Sequence, residues 1–330
     1  MKAAKLHPGK FEIIDTPKPN IKDKDVLVRI KYCGVCGSDL NIYKKDPPIP
    51  KYWPGHEISG VIEAVNSDSS FKKGQNVTIK PLINCGECDQ CKKHFDNFCS
   101  NYSFIGINYP GGFAEYINVP EKVVFRLNNS QPLEIGTLLE PLSCAYHALK
   151  RFTLKESDDI LIFGAGVQGL LSLLLLKKHF KIKNVDIICK YAHQQKKAQD
   201  FGANHTYLHA DKKPEKTYDV IIETVGGNGE SLQNSIILSK PMGEIALLGT
   251  CYANPNINTK LITEKQLVIS GSHRYTTDDY KKALDISTEM TNSLLSLITH
   301  RFELDKIEDA FSIAFKKENE RVIKVLIFNK

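Results

Sequence analysis

The feature that most constrains this chain is a cluster of four cysteines, Cys85, Cys88, Cys91 and Cys99. Four thiolates at this spacing can enclose one zinc ion tetrahedrally, and a closed shell of four sulfur atoms leaves no position for a substrate. Residues 81–102 include few apolar side chains, so a bound metal would replace a missing core. We therefore predict a structural zinc site in this segment, with His94 as a weaker alternative ligand.

A second candidate metal site mixes ligand types. Cys36 lies in the run Cys-Gly-Val-Cys-Gly-Ser-Asp, and His56 and Glu57 follow about twenty residues later. Sulfur, nitrogen and oxygen ligands together can leave one coordination position open for water or substrate. We predict a catalytic zinc at these residues.

Composition bounds the class of protein. The chain has 330 residues, 42% hydrophobic and 25% charged, which is typical of about two globular domains. The net charge of +6 comes from scattered lysines, as on a solvated surface, and indicates no nucleic-acid partner. The N-terminus does not read as a signal peptide, and the longest apolar run, residues 169–176, is too short to cross a membrane. We expect a cytoplasmic protein with reduced cysteines and no membrane partner.

The pattern of the chain changes near residue 142. Before it, residues 25–31 alternate apolar and polar positions, and residues 60–65 and 76–79 are further β-prone runs, which predicts an irregular antiparallel β domain. After it, short apolar strands alternate with helices, which predicts a parallel, doubly wound sheet. The predicted strands are 160–163, 185–189, 220–223 and 244–248, and the predicted helices are 143–152, 167–180 and 194–201. The remaining segments, 278–289, 307–315 and 322–328, are predicted to rejoin the first domain.

A glycine-rich turn follows the first strand of the second region. The run is Gly164-Ala165-Gly166-Val167-Gln168-Gly169, and it opens a predicted helix. Glycines at these positions permit a tight turn and close approach to a pyrophosphate, while the helix N-terminus supplies N–H donors. The strand–turn–helix context therefore predicts a dinucleotide-binding site at Gly164, Gly166, Val167, Gln168 and Gly169.

The end of the second strand predicts which dinucleotide binds. An acidic residue there would hold the ribose 2′-hydroxyl of NAD, but the position falls on Cys189, followed by Lys190 and Tyr191. Asp186 comes too early in the strand to serve. Lys190 can balance a 2′-phosphate and Tyr191 can lie against the adenine, so we favour NADP(H) over NAD(H).

Together these motifs resemble the zinc-containing medium-chain alcohol dehydrogenases over nearly the whole chain. The resemblance includes Pro54-Gly55-His56-Glu57, the four-cysteine segment, Leu139-Glu140-Pro141-Leu142-Ser143 and Thr299-His300-Arg301-Phe302. It implies a GroES-like catalytic domain, residues 1–142 with 273–330, and a Rossmann domain, residues 143–272. Glu140 and the pair Arg274-Tyr275 are similar to the sorbitol (polyol) and L-threonine dehydrogenase branch.

The resemblance also implies roles for single residues. Cys36, His56 and one or both of Glu57 and Glu140 would form the catalytic zinc shell, whereas Cys33 would be structural. Ser38 would relay the proton, and Asp39 would orient His56. Where the family usually continues the relay with a histidine, this chain has Asn41, which cannot titrate.

The expected activity is the interconversion of a secondary alcohol, a polyol or sugar alcohol, and a ketone by hydride transfer, with two zinc ions and NADP(H). Arg274 and Tyr275 would bind substrate hydroxyls. The alternatives are an L-threonine dehydrogenase, an NADPH-dependent aldehyde reductase or an enzyme for a phosphorylated sugar alcohol, and, less favoured, a catalytically silent zinc scaffold. The family resemblance implies a homodimer or homotetramer.

Overall fold

A computed structural model of the chain describes residues 1–22, 24–44, 51–208, 214–252 and 254–330. The chain divides into two compact units. Unit 1 comprises Met1–Glu140 and Thr276–Lys330, and unit 2 comprises Pro141–Tyr275.

The strands of the described residues are numbered in chain order. They are β1 (Lys2–His7), β2 (Lys10–Asp15), β3 (Asp25–Gly34), β4 (Glu57–Val65), β5 (Asn76–Ile79), β6 (Leu82–Ile83), β7 (Ser103–Phe104), β8 (Tyr116–Pro120), β9 (Val124–Arg126), β10 (Asp159–Phe163), β11 (Asn184–Cys189), β12 (Thr206–Leu208), β13 (Tyr218–Glu223), β14 (Ser239–Leu247), β15 (Val268–Gly271), β16 (Ile298–Glu303) and β17 (Lys324–Phe328).

The helices are numbered in the same way. They are α1 (Gly37–Lys44), α2 (Asp89–Lys92), α3 (Leu139–Leu149), α4 (Val167–Leu174), α5 (Ala192–Asp200), α6 (Glu230–Leu238), α7 (Thr259–Lys265), α8 (Thr277–Glu289), α9 (Thr291–Leu295) and α10 (Ile307–Phe315). Short 3₁₀ segments occur at Asp96–Phe98, Glu121–Val123, Leu133–Leu138 and Leu304–Lys306, and a π-helical turn at Leu175–His179 continues α4.

Unit 1 is built on a seven-stranded sheet with β3 near its centre. The order is β16-β17-β3-β4-β5-β9, and β8 pairs with the first half of β3. Val26, Val28 and Ile30 alternate along β3 and are fully buried, as the alternating sequence predicts. The register sets Gly34, at the end of β3, opposite Glu57 of β4 on one side and Leu326 of β17 on the other. The C-terminal strand therefore lies beside one of the predicted metal ligands.

Unit 2 contains a six-stranded sheet in which all the pairs are parallel. Its order is β12-β11-β10-β13-β14-β15, which is the 3-2-1-4-5-6 order of a Rossmann fold. β10 and β11 are buried on both faces beyond their first residues, as parallel strands covered by helices should be, and Asp186 is the one charged residue inside β11. The strand order reverses between β10 and β13, so the glycine-rich turn after β10 opens at the switch point of the sheet.

Two helices depart from the sequence prediction. α3 begins at Leu139 rather than at residue 143, because Pro141 fits the first turn of a helix, where no N–H bond is needed. Glu140 is therefore helical. The predicted helix 167–180 is α4 followed by a wider turn, in which the N–H of Phe180 bonds to the carbonyl of Leu175.

Candidate metal centres and cofactor site

The four predicted cysteines meet at one point. They lie in the loop between β6 and β7, around α2, and their four Sγ atoms all lie within 4.8 Å of one another. Sulfur–sulfur distances are 4.0 Å for Cys85–Cys91, 3.9 Å for Cys88–Cys99 and 3.5 Å for Cys85–Cys99. Zinc–sulfur bonds of about 2.3 Å require edges of about 3.8 Å in a tetrahedron, so the group fits zinc. The described group does not include His94, whose backbone has φ of 61°.

Backbone donors prepare these sulfur atoms to bind a cation. The N–H groups of Glu87 and Cys88 point at Cys85 Sγ, at 3.4 Å each, and lower the pKa of this thiol. N–H groups of Cys91 and Ser100 lower the pKa of Cys88 to about 6. Burial raises that of Cys91 to about 12, a penalty that a bound cation removes by favouring the thiolate. The chemistry of the donor set is that of a structural zinc site.

The second predicted group also comes together, in unit 1. Cys36 precedes α1, His56 precedes β4, and Glu57 is the first residue of β4; one ligand atom of each lies within 4.8 Å of the others. His56 and Glu57 are buried. Glu140 is buried as well, in the first turn of α3, but it is outside this group of three. Its charge still reaches the imidazole of His56, where it favours the protonated form.

Asp39 connects two of these residues. One of its carboxylate oxygens accepts the N–H of Cys36 at 2.9 Å, and the other lies 3.6 Å from His56 Nδ1. Burial would lower the pKa of His56, but the charges of Asp39 and Cys36 raise it well above its ordinary value. Asp39 thus holds the Cys36 loop and the His56 ring together. Ser38 is exposed on α1 and Asn41 half-buried on the same helix.

Sequence reasoning missed Lys324, the first residue of β17. This side chain is 2% exposed and forms an ion pair with Glu57, itself 1% exposed. Lys324 Nζ also donates to the carbonyl of Val35 at 3.1 Å. A Cβ on Gly34 would lie 1.9 Å from the Glu57 carboxylate, so only glycine leaves room for this pair. The available signal was a lysine placed inside the otherwise apolar run 322–328.

The glycine-rich turn of unit 2 has the shape that a pyrophosphate needs. Gly164 has φ of 95°, and a Cβ on Gly169 would lie 1.8 Å from the Gly164 carbonyl oxygen. Gly166 precedes the first residue of α4, Val167, and a Cβ there would meet nothing within 4 Å. The helix start is therefore open in front of its N–H groups, which fits an anionic ligand. Gln168 points back and donates to the carbonyl of Pro141 at 3.2 Å.

A cavity of about 230 Å³ lies beside this turn, at the carboxyl ends of β10, β11 and β13. Its walls are Phe163, Gly164, Ile188, Cys189, Lys190, Val225, Asn228, Glu230, Ser231 and Asn234. Cys189 is buried, and burial raises the pKa of its thiol to about 12. Lys190 is exposed, with Nζ 5.4 Å from the centre of the Tyr191 ring, which stacks on His193. The described wall from β11 thus presents a cation and no carboxylate.

Asp186 is committed elsewhere in unit 2. Its carboxylate accepts from Tyr218 Oη at 2.9 Å, contacts His205 Nδ1 at 3.1 Å and forms an ion pair with Lys216 at 3.0 Å. The residue is fully buried in the middle of β11, paired with Leu161. It therefore does not reach the end of the strand.

Arg274 and Tyr275 follow β15 in unit 2. Arg274 is half-buried and has φ of 53°, in the left-handed region, and Tyr275 is 2% exposed. Among the described residues, none of the helices is both long and apolar enough to cross a membrane.

Comparison with known proteins gives matches over the whole chain. Residues 22–129 match the profile of the alcohol dehydrogenase GroES-like domain, and residues 169–289 that of the zinc-binding dehydrogenase family. A probable D-xylulose reductase A of Aspergillus clavatus is 31% identical, covering 93% of this chain and 90% of the relative. Galactitol 1-phosphate 5-dehydrogenase of Escherichia coli K12 is also 31% identical, with 92% of each chain covered.

Two solved structures are similar along their full lengths. The alcohol dehydrogenase RspB of E. coli CFT073, complexed with NADH, has a TM-score of 0.92 at 27% identity and covers 100% of this chain and 99% of its own. A zinc-binding dehydrogenase of Sinorhizobium meliloti 1021, bound to NADP, has a TM-score of 0.87 at 27% identity, with 99% of both chains covered. These relatives use the same fold with either form of the dinucleotide.

Proposed function

This chain belongs to the zinc-containing medium-chain alcohol dehydrogenase family, in its polyol branch, and from that premise we propose that it interconverts a polyol or sugar alcohol and the corresponding ketone. The reaction is a hydride transfer that uses NAD(P)(H). The observation that carries the proposal is the group of half-buried Cys36 with buried His56 and Glu57, whose ligand atoms lie within 4.8 Å of one another.

We assign Cys36, His56 and Glu57 as the ligands of the catalytic zinc, and we propose that Glu140, whose charge acts on His56 and Lys324, exchanges with Glu57. The charges support a divalent cation. With Asp39, the Cys36 thiolate and the two glutamate carboxylates carry four negative charges and Lys324 carries one positive charge, so one Zn²⁺ ion would offset two of the three negative charges that remain. Buried charge is stable only when it is compensated in this way.

Zinc bound there would act as a Lewis acid that lowers the pKa of the substrate hydroxyl, and the nicotinamide would accept the hydride. The protein has to remove the hydroxyl proton. Ser38 is exposed on α1, next to Asp39, and we propose that it passes the proton to water. Asn41 cannot take the next step, so the relay ends in solvent or at the ribose hydroxyls of the cofactor.

We propose NADP(H) as the preferred cofactor. Lys190 stands after β11 beside the cavity, and Asp186 is held inside the strand by three partners, so a 2′-phosphate would meet a cation. Lys190→Ala should raise the KM for NADP⁺ about tenfold or more and leave that for NAD⁺ unchanged, since one charged hydrogen bond contributes about 1.5–3 kcal/mol.

Lys196→Ala is the matched control for the cofactor test. Lys196 is an exposed lysine of α5 that pairs with Asp200 within its own helix, at 2.8 Å. Its removal should leave both KM values unchanged. Equal effects of Lys190→Ala on NADP⁺ and NAD⁺ would contradict the preference.

Activity is tested by adding NADP⁺ or NADPH with a panel of polyols, ketoses and aldehydes and following the absorbance of the reduced nicotinamide. The panel includes L-threonine and galactitol 1-phosphate, because the segment Gly111-Gly112-Phe113-Ala114-Glu115-Tyr116 is similar to L-threonine dehydrogenases and a galactitol 1-phosphate dehydrogenase is a relative. Oxidation of polyols is the expected result. Silence of the whole panel, with two zinc ions bound per chain, would instead support a zinc scaffold.

Two zinc ions per chain, a homodimer or homotetramer, and a cytoplasmic location stay predictions. Elemental analysis of the purified protein and light scattering after size exclusion measure the first two.

The proposed substrate residues Arg274 and Tyr275 are tested by Arg274→Ala, which should raise the KM for the polyol without changing the KM for the cofactor.

A further inference from the structure

Two buried hydroxyl groups of unit 1 form a chain that leads to the backbone segments carrying Glu57 of the mixed metal group and the nearby Glu140. Thr78 lies on β5 and Tyr280 on α8, and both are fully buried. Thr78 Oγ1 is 2.7 Å from Tyr280 Oη, 2.8 Å from the carbonyl oxygen of Gly136 and 3.1 Å from that of Ile58. One threonine oxygen therefore joins three separate elements.

The direction of these hydrogen bonds follows from the number of hydrogens. The hydroxyl of Thr78 has one hydrogen, and a carbonyl oxygen can only accept. In the arrangement that satisfies a carbonyl, Thr78 donates to Gly136 or Ile58, with Gly136 at the shorter distance, and Tyr280 donates to Thr78. Without Tyr280 Oη, the threonine oxygen would lose the donor that directs its own hydrogen toward the carbonyls.

The two carbonyls belong to the segments that carry the carboxylates. Ile58 directly follows Glu57 on β4, and Gly136 lies in the 3₁₀ segment that runs into Glu140. This segment packs tightly, because a Cβ on Gly136 would lie 2.6 Å from the Cβ of Ser59. Burial raises the pKa of Tyr280, the hydrogen bond with Thr78 lowers it, and the charge of Glu140 raises it.

We propose that Thr78 and Tyr280 are positioning residues that fix the separation of Glu57 and Glu140 at the catalytic metal. The inference rests on the proposed function, since it takes these two carboxylates as the oxygen ligands of the zinc. Thr78 bonds to the carbonyl oxygens of Ile58 and Gly136 and so acts on the two glutamates through the backbone, and Tyr280 acts through Thr78. A shift of about 1 Å in catalytic groups is enough to slow an enzyme about 100-fold.

The hydroxyl chain is separate from the contacts that anchor α8. The helix begins with a capping box between Thr276 and Asp279, and Thr277 bonds to Asp96 and to Lys80 Nζ, the latter at 2.8 Å. The ring of Tyr280 packs against Phe125 at 5.0 Å between centroids. Tyr280→Phe therefore removes one oxygen and keeps the ring and the helix anchors.

The test uses cadmium-113 NMR of the full chain loaded with cadmium, which gives separate resonances for the four-sulfur site and the mixed site. We expect Tyr280→Phe and Thr78→Val to shift the mixed-site resonance, keep the four-sulfur resonance and lower kcat/KM of the zinc-loaded enzyme about tenfold. Thr78→Ser keeps a hydroxyl and should restore the parent spectrum. Thr277→Val removes a hydroxyl from the same helix and should leave the mixed-site resonance unchanged.

A mixed-site resonance that stays at the parent position in both Tyr280→Phe and Thr78→Val would overturn the positioning role. So would an equal shift in Thr277→Val, because the effect would then come from the seating of α8. If Tyr280→Phe or Thr78→Val fails to fold, that variant also loses the four-sulfur resonance, and the remaining variant then tests the positioning role. If the parent chain shows no mixed-site resonance, the proposed function itself fails, and the two failures are thereby distinguished.

Discussion

The two metal-binding groups of this protein are held in opposite ways. The four cysteines lie on one short loop, three of them half-buried, and backbone N–H groups point at their sulfur atoms. Cys36 lies before α1 whereas His56 directly precedes β4 and Glu57 begins it, and a buried lysine from β17 neutralises the glutamate. The four-cysteine loop can fold around its metal ion by itself, whereas the site of Cys36, His56 and Glu57 forms only when the domain is folded.

This difference separates the uses of the two sites. A site with four sulfur ligands contributes binding free energy to folding and offers no open position. A site with three ligands of different types, buried beside a compensating cation, can keep a position for substrate while its charge stays balanced. The contrast is testable at each site by removing a ligand or its supporting charge.

Removing a ligand of the mixed site should abolish activity. Cys36→Ser should lower kcat at least about 10⁴-fold, because a Lewis acid contributes several kcal/mol to stabilising the transition state. Steady-state kinetics and elemental analysis should show this loss together with one missing zinc per chain. A Cys36→Ser enzyme that keeps a tenth of the parent rate would show that the mixed site is not the catalytic one.

Removing the buried cation should destabilise unit 1. Lys324→Met leaves the Glu57 carboxylate buried without its ion pair, so the free energy of unfolding should fall by about 3–5 kcal/mol. Urea denaturation measures this value, and Glu57→Gln in the same chain should restore most of it. Lys240→Met, at a half-exposed pair with Asp219, should change stability by only about 1 kcal/mol or less. Similar losses in both lysine variants would show that burial does not distinguish the pairs.

The loop of the four cysteines is itself anchored by a buried ion pair, with a consequence for pH. Lys80 is 1% exposed and lies 3.2 Å from Asp96, inside the loop. Burial would raise the pKa of Asp96, but the charge of Lys80 and the hydrogen bonds from Thr277 hold this pKa below its ordinary value. Burial lowers the pKa of Lys80, although the charge of Asp96 acts in the opposite direction.

A carboxyl group whose pKa is lowered by folding stabilises the folded state. This stabilisation is complete when the pH is above the pKa of the unfolded state, about 3.9, and is lost as the pH falls through the pKa of the folded state. Asp96→Asn should therefore lower the free energy of unfolding by about 1–3 kcal/mol at pH 7 and remove part of the loss below about pH 4. Urea denaturation at several pH values measures both, with the exposed Asp89→Asn as the control. Parallel pH profiles for the parent and Asp96→Asn would contradict this role.

The smallest change in rate is expected at the four-cysteine site. Cys88→Ser should lose one zinc per chain, as Cys36→Ser does, and destabilise the loop, yet kcat should change less than about tenfold because this site leaves no position for a substrate. Elemental analysis, protease sensitivity of the loop and kinetics test the pair of variants side by side. An unchanged zinc content in Cys88→Ser would count against the structural site.

Sequence reasoning found the parts of each site that are close in sequence or that require a particular residue type. The spacing of the four cysteines predicts that they form one metal site. Gly164 and Gly169 indicate the tight turn because a side chain at either position would be strained or would collide with the backbone. Lys324 and Tyr280 had no such pattern. Each acts through buried contacts with residues that lie far away in the chain, 267 positions for Lys324 with Glu57 and 202 for Tyr280 with Thr78, and a single sequence does not indicate such partners.

Residue identity over a few neighbouring positions is enough to predict the alternation of strands and helices in unit 2, the glycine turn, the types of metal ligand and the missing acid after β11, because local geometry and donor chemistry are local properties. Only the tertiary structure decided that β17 lies beside the end of β3, that Glu57 is paired with Lys324, and that a threonine of β5 joins α8 to the segment before Glu140. These contacts depend on strand register and on which side chains are enclosed together. Such properties arise only when distant segments bury their surfaces against one another.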